Sequence, residues 1–239
     1  MKRVIAIFLI WAAMASGAIA QVPPSCTPVL TVLKSNCSLQ NIYKCNGPDG
    51  LGIYREEYGD GSQDTAEYYT SDLAFIKAVE IGDISHFSVI AIINSGKEFS
   101  LKLLLETGTA TVRRKILMQA GFIPQKPIGF NADFRLGNKI IEIDGTRLRA
   151  GSGIVDIVIC RPFGAMHGEF EFFYSEQDGV LFEGEHTMRM GNQGEVEEHD
   201  EHPIKLIRQG EIGFMSITPE HQCGPMLSGL EMIYLENNG

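Results

Sequence analysis

The chain has 239 residues, 44% of them hydrophobic and 21% charged, with a formal net charge of −10 at pH 7. That length supports one large domain or two small ones. The acid excess repels phosphate backbones and anionic headgroups, which argues against nucleic acid as a main partner.

The amino terminus reads as a secretory signal. Lys2 and Arg3 supply the positive start and Val4 to Met14 the apolar run. Ala18-Ile19-Ala20 gives the small-x-small pattern of a cleavage site. The run is short for a bilayer span, and no later segment approaches that length. The reading is therefore a signal over 1–20, cleavage near Ala20, and a periplasmic or secreted product without an integral membrane segment. Five cysteines (Cys26, Cys37, Cys45, Cys160 and Cys223) fit an oxidising compartment as structural disulfides, with the pairing left open. No C-x-x-C spacing of redox enzymes or zinc ribbons is present.

Residues 21–37, with three prolines and two cysteines, read as an irregular lead-in, and 38–239 as a single β-rich domain. Turn signals then recur between short apolar segments. Gly47-Pro48-Asp49-Gly50 precedes a strand over Leu51–Tyr58, and Gly59-Asp60-Gly61 precedes one near Glu67–Thr70. The capping-box spacing of Ser95 and Glu98 predicts one helix over 96–106, stopped by Thr107-Gly108. Thr109–Met118 follows as a strand. Asp144-Gly145 between 139–143 and 146–149 is a strong hairpin signal, and Gln177-Asp178-Gly179 separates 169–174 from 180–190. Gly191 to His202 reads as a long exposed loop, and Ser228 to Glu231 hints at a short helix. The fold class expected is α+β, mainly β: a curved, half-barrel-like antiparallel sheet with one central helix near 96–106.

Period-two alternation assigns faces to two of these strands. Phe170, Phe172 and Tyr174 fall on one side, opposite Glu169 and Glu171. Phe182, His186, Met188 and Met190 share another, opposite Glu183, Glu185 and Arg189. If such faces do not close fully, the remainder is an apolar ligand cavity. Phe170, Phe172, Phe182, Met188 and the helix residue Leu103 are the candidate ligand contacts.

Signals of catalysis are sparse. No Gly-x-Ser-x-Gly elbow, dinucleotide fingerprint or His-Glu-x-x-His is present. His199 and His202, among five carboxylates of Glu195–Glu201, match no established zinc spacing and read as a solvated acidic stretch. His186 with Met188 and Met190 offers imidazole and thioether donors of the kind that suit Cu(I), but methionines on a strand face also fill cores. These five residues are weak metal candidates, and no cofactor is expected.

The run Phe172-Phe173-Tyr174-Ser175-Glu176-Gln177-Asp178-Gly179-Val180-Leu181-Phe182-Glu183-Gly184-Glu185, set after an export signal and an embedded helix, resembles bacterial outer-membrane lipoprotein carriers. The likeness spans about residues 38–222 and is one of strand pattern. It implies a curved antiparallel sheet wrapping a helix around a cavity for acyl chains, and it transfers no individual residue. The leading expectation is a non-enzymatic binding or carrier protein for a hydrophobic small molecule or lipid. An envelope assembly module with a packed core is the second, and a metal-binding protein or metal-dependent enzyme the third.

Overall fold

The computed structural model describes residues 19–47, 51–59, 62–81, 88–92, 94–120, 123–158, 164–191 and 194–219. The signal region to residue 18, Cys160, Cys223 and the 228–231 segment lie outside them.

The strands are β1 (Cys26–Lys34), β2 (Leu39–Cys45), β3 (Leu51–Tyr58), β4 (Gln63–Thr70), β5 (Phe75–Glu80), β6 (Ser88–Ala91) and β7 (Thr109–Ala120). The remainder are β8 (Ile123–Ile143), β9 (Thr146–Val158), β10 (Ala165–Ser175), β11 (Val180–Met190), β12 (Val196–Asp200) and β13 (Pro203–Ile207). They form one 13-stranded antiparallel sheet, a meander from β1 to β12 with β13 added beside β1. β12 and β13 are thus the two edges. Yet Asp200 and Pro203 are three residue steps apart, a reach of at most about 11 Å. The chain can make that step only if the sheet curls until its edges meet. It is curved and not closed: no ladder joins β12 to β13.

The hairpin signals are met. Asp144 and Gly145 both have positive φ (48° and 73°), the requirement of a tight two-residue turn joining β8 to β9. The Asp144 carboxylate also accepts the amide of Leu206 at 2.8 Å, capping the free edge of β13. Gly179 (φ 69°) ends the β10–β11 turn, where Asp178 accepts from Ser175 and from Arg208.

The helix α1 (Leu101–Thr107) starts five residues after the expected position. Ser100, not Ser95, is the cap, accepting from the Leu103 amide at 3.1 Å, and Gly108 (φ 77°) closes the helix. The reason lies in β7. Lys97 pairs as a bridge with Arg113, Ser95 bonds to the Lys115 amide and Glu98 pairs with Arg114, so the capping-box residues are drawn into the sheet. α1 packs on β7 and β8 and buries Leu101 and Leu104 in the main core with Val112, Leu148 and Phe172. Leu103 is only half-buried.

Two other expectations change. The lead-in holds β1, whose Leu30 and Val32 are in the core and whose Cys26 is bridged to Cys45 across the β1–β2 ladder. Prolines end that strand's regularity only at its start, where a bulge follows Pro28. The acidic loop contains β12, a fully exposed strand; its row of charges suits an unpaired edge. Among the described residues, no helix is long and apolar enough to cross a membrane.

β2 and β3 are buried on both faces. Ile42 and Ile53 join the main core, whereas Tyr43 and Tyr54 belong to a second cluster with Phe214 and Met215. The segment after β13 lies over this outer face, tied by the Met215 amide to Thr31 at 2.7 Å and by Asn41 to the Ser216 carbonyl at 3.0 Å.

Candidate functional site

The curl of the sheet leaves its interior incompletely filled. A cavity of about 620 Å³ runs between β3–β7 on one side and β8–β11 on the other. Its largest surface is aromatic. Phe134 on β8 stands edge-on to Phe99, Phe170 and Phe172 at ring distances of 4.7, 5.1 and 5.9 Å. Glycines on β9 make this arrangement possible: a Cβ on Gly151 would overlap the Phe172 ring, and one on Gly153 the Phe170 ring. The rings therefore lie along the sheet instead of projecting across the space.

Beside the phenylalanines the lining turns polar, beginning with Glu183, the cross-strand partner of Phe172. At the end of β1 a bulge between Leu33 and Lys34 leaves both residues buried. The Lys34 ammonium lies at the seam where the two ends of the sheet meet, 2.8 Å from Glu57 of β3, 3.0 Å from Glu183 of β11 and 2.8 Å from Glu201 of the β12–β13 link. Burial alone would weaken this ammonium, but the three carboxylates hold its pKa well above the ordinary lysine value. Ser35 extends the seam, donating from its amide to the His202 carbonyl at 2.9 Å.

Next to this cluster are Arg55 of β3 and Glu67 and Tyr69 of β4. Tyr69 donates to Glu67 at 3.0 Å, and the guanidinium of Arg55 stacks on the Tyr69 ring at 4.9 Å. Arg55 donates to the Leu181 carbonyl at 2.6 Å, stands 4.0 Å from Glu67, and leaves its buried Nε without an acceptor. Burial and the neighbouring Glu183 raise the Glu67 carboxyl to about 7, against the pull of Arg55 and Lys34. Glu183 goes the other way, drawn down to about 2 by Lys34 in spite of its own burial. Burial raises Glu201 as well, against the pull of Lys34.

Glu67 and Glu183 both line the cavity and keep 22% and 44% of their side-chain surface accessible. Arg55, at 5%, is recessed behind them.

Of the residues singled out from the sequence, Phe170, Phe172, His186 and Met188 line the cavity. Phe182 does not. A register shift opposite Phe170–Phe172 breaks the alternation of β11, so Leu181 and Glu183 line the cavity before it and His186 and Met188 after it. Phe182 falls out of phase, pairs with Phe173 and is buried in the core. The same shift brings Glu183 inward, where unbroken alternation placed it in water. Leu103 is outside the cavity lining, and its place near the interior is taken by Phe99 just before the cap.

The metal candidates are dispersed. His199 stacks on His186 at 4.9 Å, its partner across the β11–β12 ladder; His202 bonds to Asp200 at 2.6 Å; Met190 is exposed. Among the described residues, the one group of three or more His, Cys, Asp or Glu donors close enough to hold an ion is Glu57, Glu183 and Glu201, and Lys34 already supplies its cation. The functional residues that sequence reasoning missed are Arg55, Glu67, Tyr69 and Phe134. A charge two positions from Ile53 or from Tyr69 is the available signal, since alternation puts such pairs on one face.

No protein-family model, curated protein or solved structure matches this chain. The resemblance to lipoprotein carriers finds no counterpart in these comparisons.

Proposed function

We propose that this is an exported, non-enzymatic carrier or binding protein for a hydrophobic, lipid-like ligand. One observation carries the reading: a cavity of about 620 Å³, faced by phenylalanines and held open by glycines on the neighbouring strand. Its size is within the range of small-molecule sites, and its apolar wall with a few convergent polar groups is the usual chemistry of such sites. The signal pattern of residues 1–20 and the Cys26–Cys45 disulfide support an extracytoplasmic setting.

Each buried aromatic or aliphatic group of a ligand gains roughly 1.5–3 kcal/mol on leaving water. An apolar tail among Phe99, Phe134, Phe170 and Phe172 therefore binds without any covalent step. The test is uptake of the neutral fluorophore N-phenyl-1-naphthylamine by the mature protein, with native mass spectrometry of the freshly purified sample. Fluorescence enhancement that is lost in an Ala78→Phe variant, folded by circular dichroism, is the expected result. No uptake by the wild-type protein and no co-purified ligand would overturn the reading.

A further inference from the structure

We infer that the cavity selects an amphiphile with a cationic, amine-type head, which docks against Glu67 and Glu183 while its tail lies among the phenylalanines. The inference deepens the ligand-binding reading above and rests on it.

The seam beside the cavity holds two cations, Lys34 and Arg55, and four carboxylates, Glu57, Glu67, Glu183 and Glu201, while Glu169 and Glu171 also line the cavity. Lys34 is fully engaged by three of them. Arg55 hydrogen-bonds the Leu181 carbonyl, leaves Nε unpaired and reaches Glu67 only at 4.0 Å, so it offsets that carboxylate only in part. Negative charge is therefore in excess, and burial together with the neighbouring carboxylates raises the pKa of both Glu67 and Glu201.

Accessibility decides which groups a ligand meets. Glu67 and Glu183 line the cavity with accessible surface, and Arg55 is recessed. Arg114, the other lining arginine, is 4% exposed and held by Glu98 and by the Phe75 and Ile92 carbonyls, with its buried Nε unpaired as in Arg55. An anionic head would meet like charge in a region of low dielectric, and an alcohol would leave the excess charge unmatched. An ammonium supplies up to three donors and the missing countercharge.

Binding then trades the Glu67 proton for the ligand's charge. The groups acting on Glu67 are Arg55 from β3, Tyr69 from its own strand, Lys34 from β1 and Glu183 from β11, with Glu57 and Glu201 on the far side of Lys34's contacts; its β5 partner, Ala78, is neutral. Affinity for the amine thus rises with pH through the region around 7, where Glu67 gives up its proton.

Displacement of N-phenyl-1-naphthylamine by dodecylammonium, dodecanol and dodecanoate, each below its micelle concentration, tests this from about pH 5 to about pH 9. The ammonium should bind roughly tenfold or more tightly than the alcohol at the upper end, the size of about one pK unit of charge interaction. The dodecanoate should bind most weakly. Moderate salt should leave the preference intact, unlike adsorption to the acidic surface. Glu67→Gln should remove the pH dependence while keeping dodecanol binding. Equal binding of amine and alcohol, or preference for dodecanoate, overturns the inference and leaves the cavity reading standing. Displacement by none of the three overturns the inference alone, whereas no uptake of the fluorophore in the first place overturns both.

Discussion

Glu56 and Glu57 are adjacent on β3 and both are withdrawn from bulk water, but they belong to opposite kinds of site. Glu56 faces outward under the segment after β13 and accepts three tyrosine hydroxyls, from Tyr43 at 2.9 Å, Tyr54 at 2.9 Å and Tyr58 at 3.0 Å. Burial, together with this carboxylate, pushes all three phenols well above the ordinary tyrosine value. Glu57 faces inward to the Lys34 cluster, where carboxylates outnumber cations and two of them open onto the cavity. A saturated acid on one face fixes structure. An acid excess on the other is chemistry held available for something else.

The largest effect expected is that of Lys34→Met, which leaves three carboxylates at the seam without a counterion and should cost about 3–5 kcal/mol in urea unfolding. The acid response should change as well. Glu183 is depressed from its ordinary value of 4.5 to about 2, so its stabilisation is present above 4.5 and is lost as pH falls toward 2. That loss should be absent in the variant, and its persistence would show that Lys34 is not the cause.

Glu56→Gln comes next, at roughly 2–3 kcal/mol, because it removes the charge that three phenols share but keeps one acceptor. A neutral outcome would erase the distinction between the two faces. Glu67→Gln should behave in the opposite way. The Glu67 carboxyl is raised to about 7, so the native state retains the proton more strongly and stability falls as pH climbs from 4.5 to 7. The amide avoids this, and the variant should match the wild type below pH 4.5 and exceed it above pH 7 in paired thermal melts. The smallest effect is spectroscopic: in an absorbance titration taken above the ordinary tyrosine range, Tyr43, Tyr54 and Tyr58 should stay protonated until the protein unfolds.

Much of the fold was legible because its signals are local. Asp144-Gly145 and Gly179 punctuate hairpins through their own backbone requirements, and Phe170 and Phe172 share a face by simple alternation. The helix was legible in kind but not in position, since Ser95 and Glu98 fit a cap in isolation and only β7 offered them better partners. Phe182 and Glu183 exchanged roles for a similar reason. A shift in ladder register is decided by two strands together, and it reverses every face beyond it.

The sequence alone therefore determined the antiparallel sheet, the turns at Asp144-Gly145 and Gly179, the presence of the helix before β7 and the aromatic row of β10. Only the tertiary structure decided that β13 returns beside β1, bringing Lys34 to Glu57, Glu183 and Glu201, residues as far apart as 167 positions along the chain. Turn and strand preferences act over a few residues. The curl of the sheet depends on where its last strand docks, and with that choice came both the seam and the cavity it encloses.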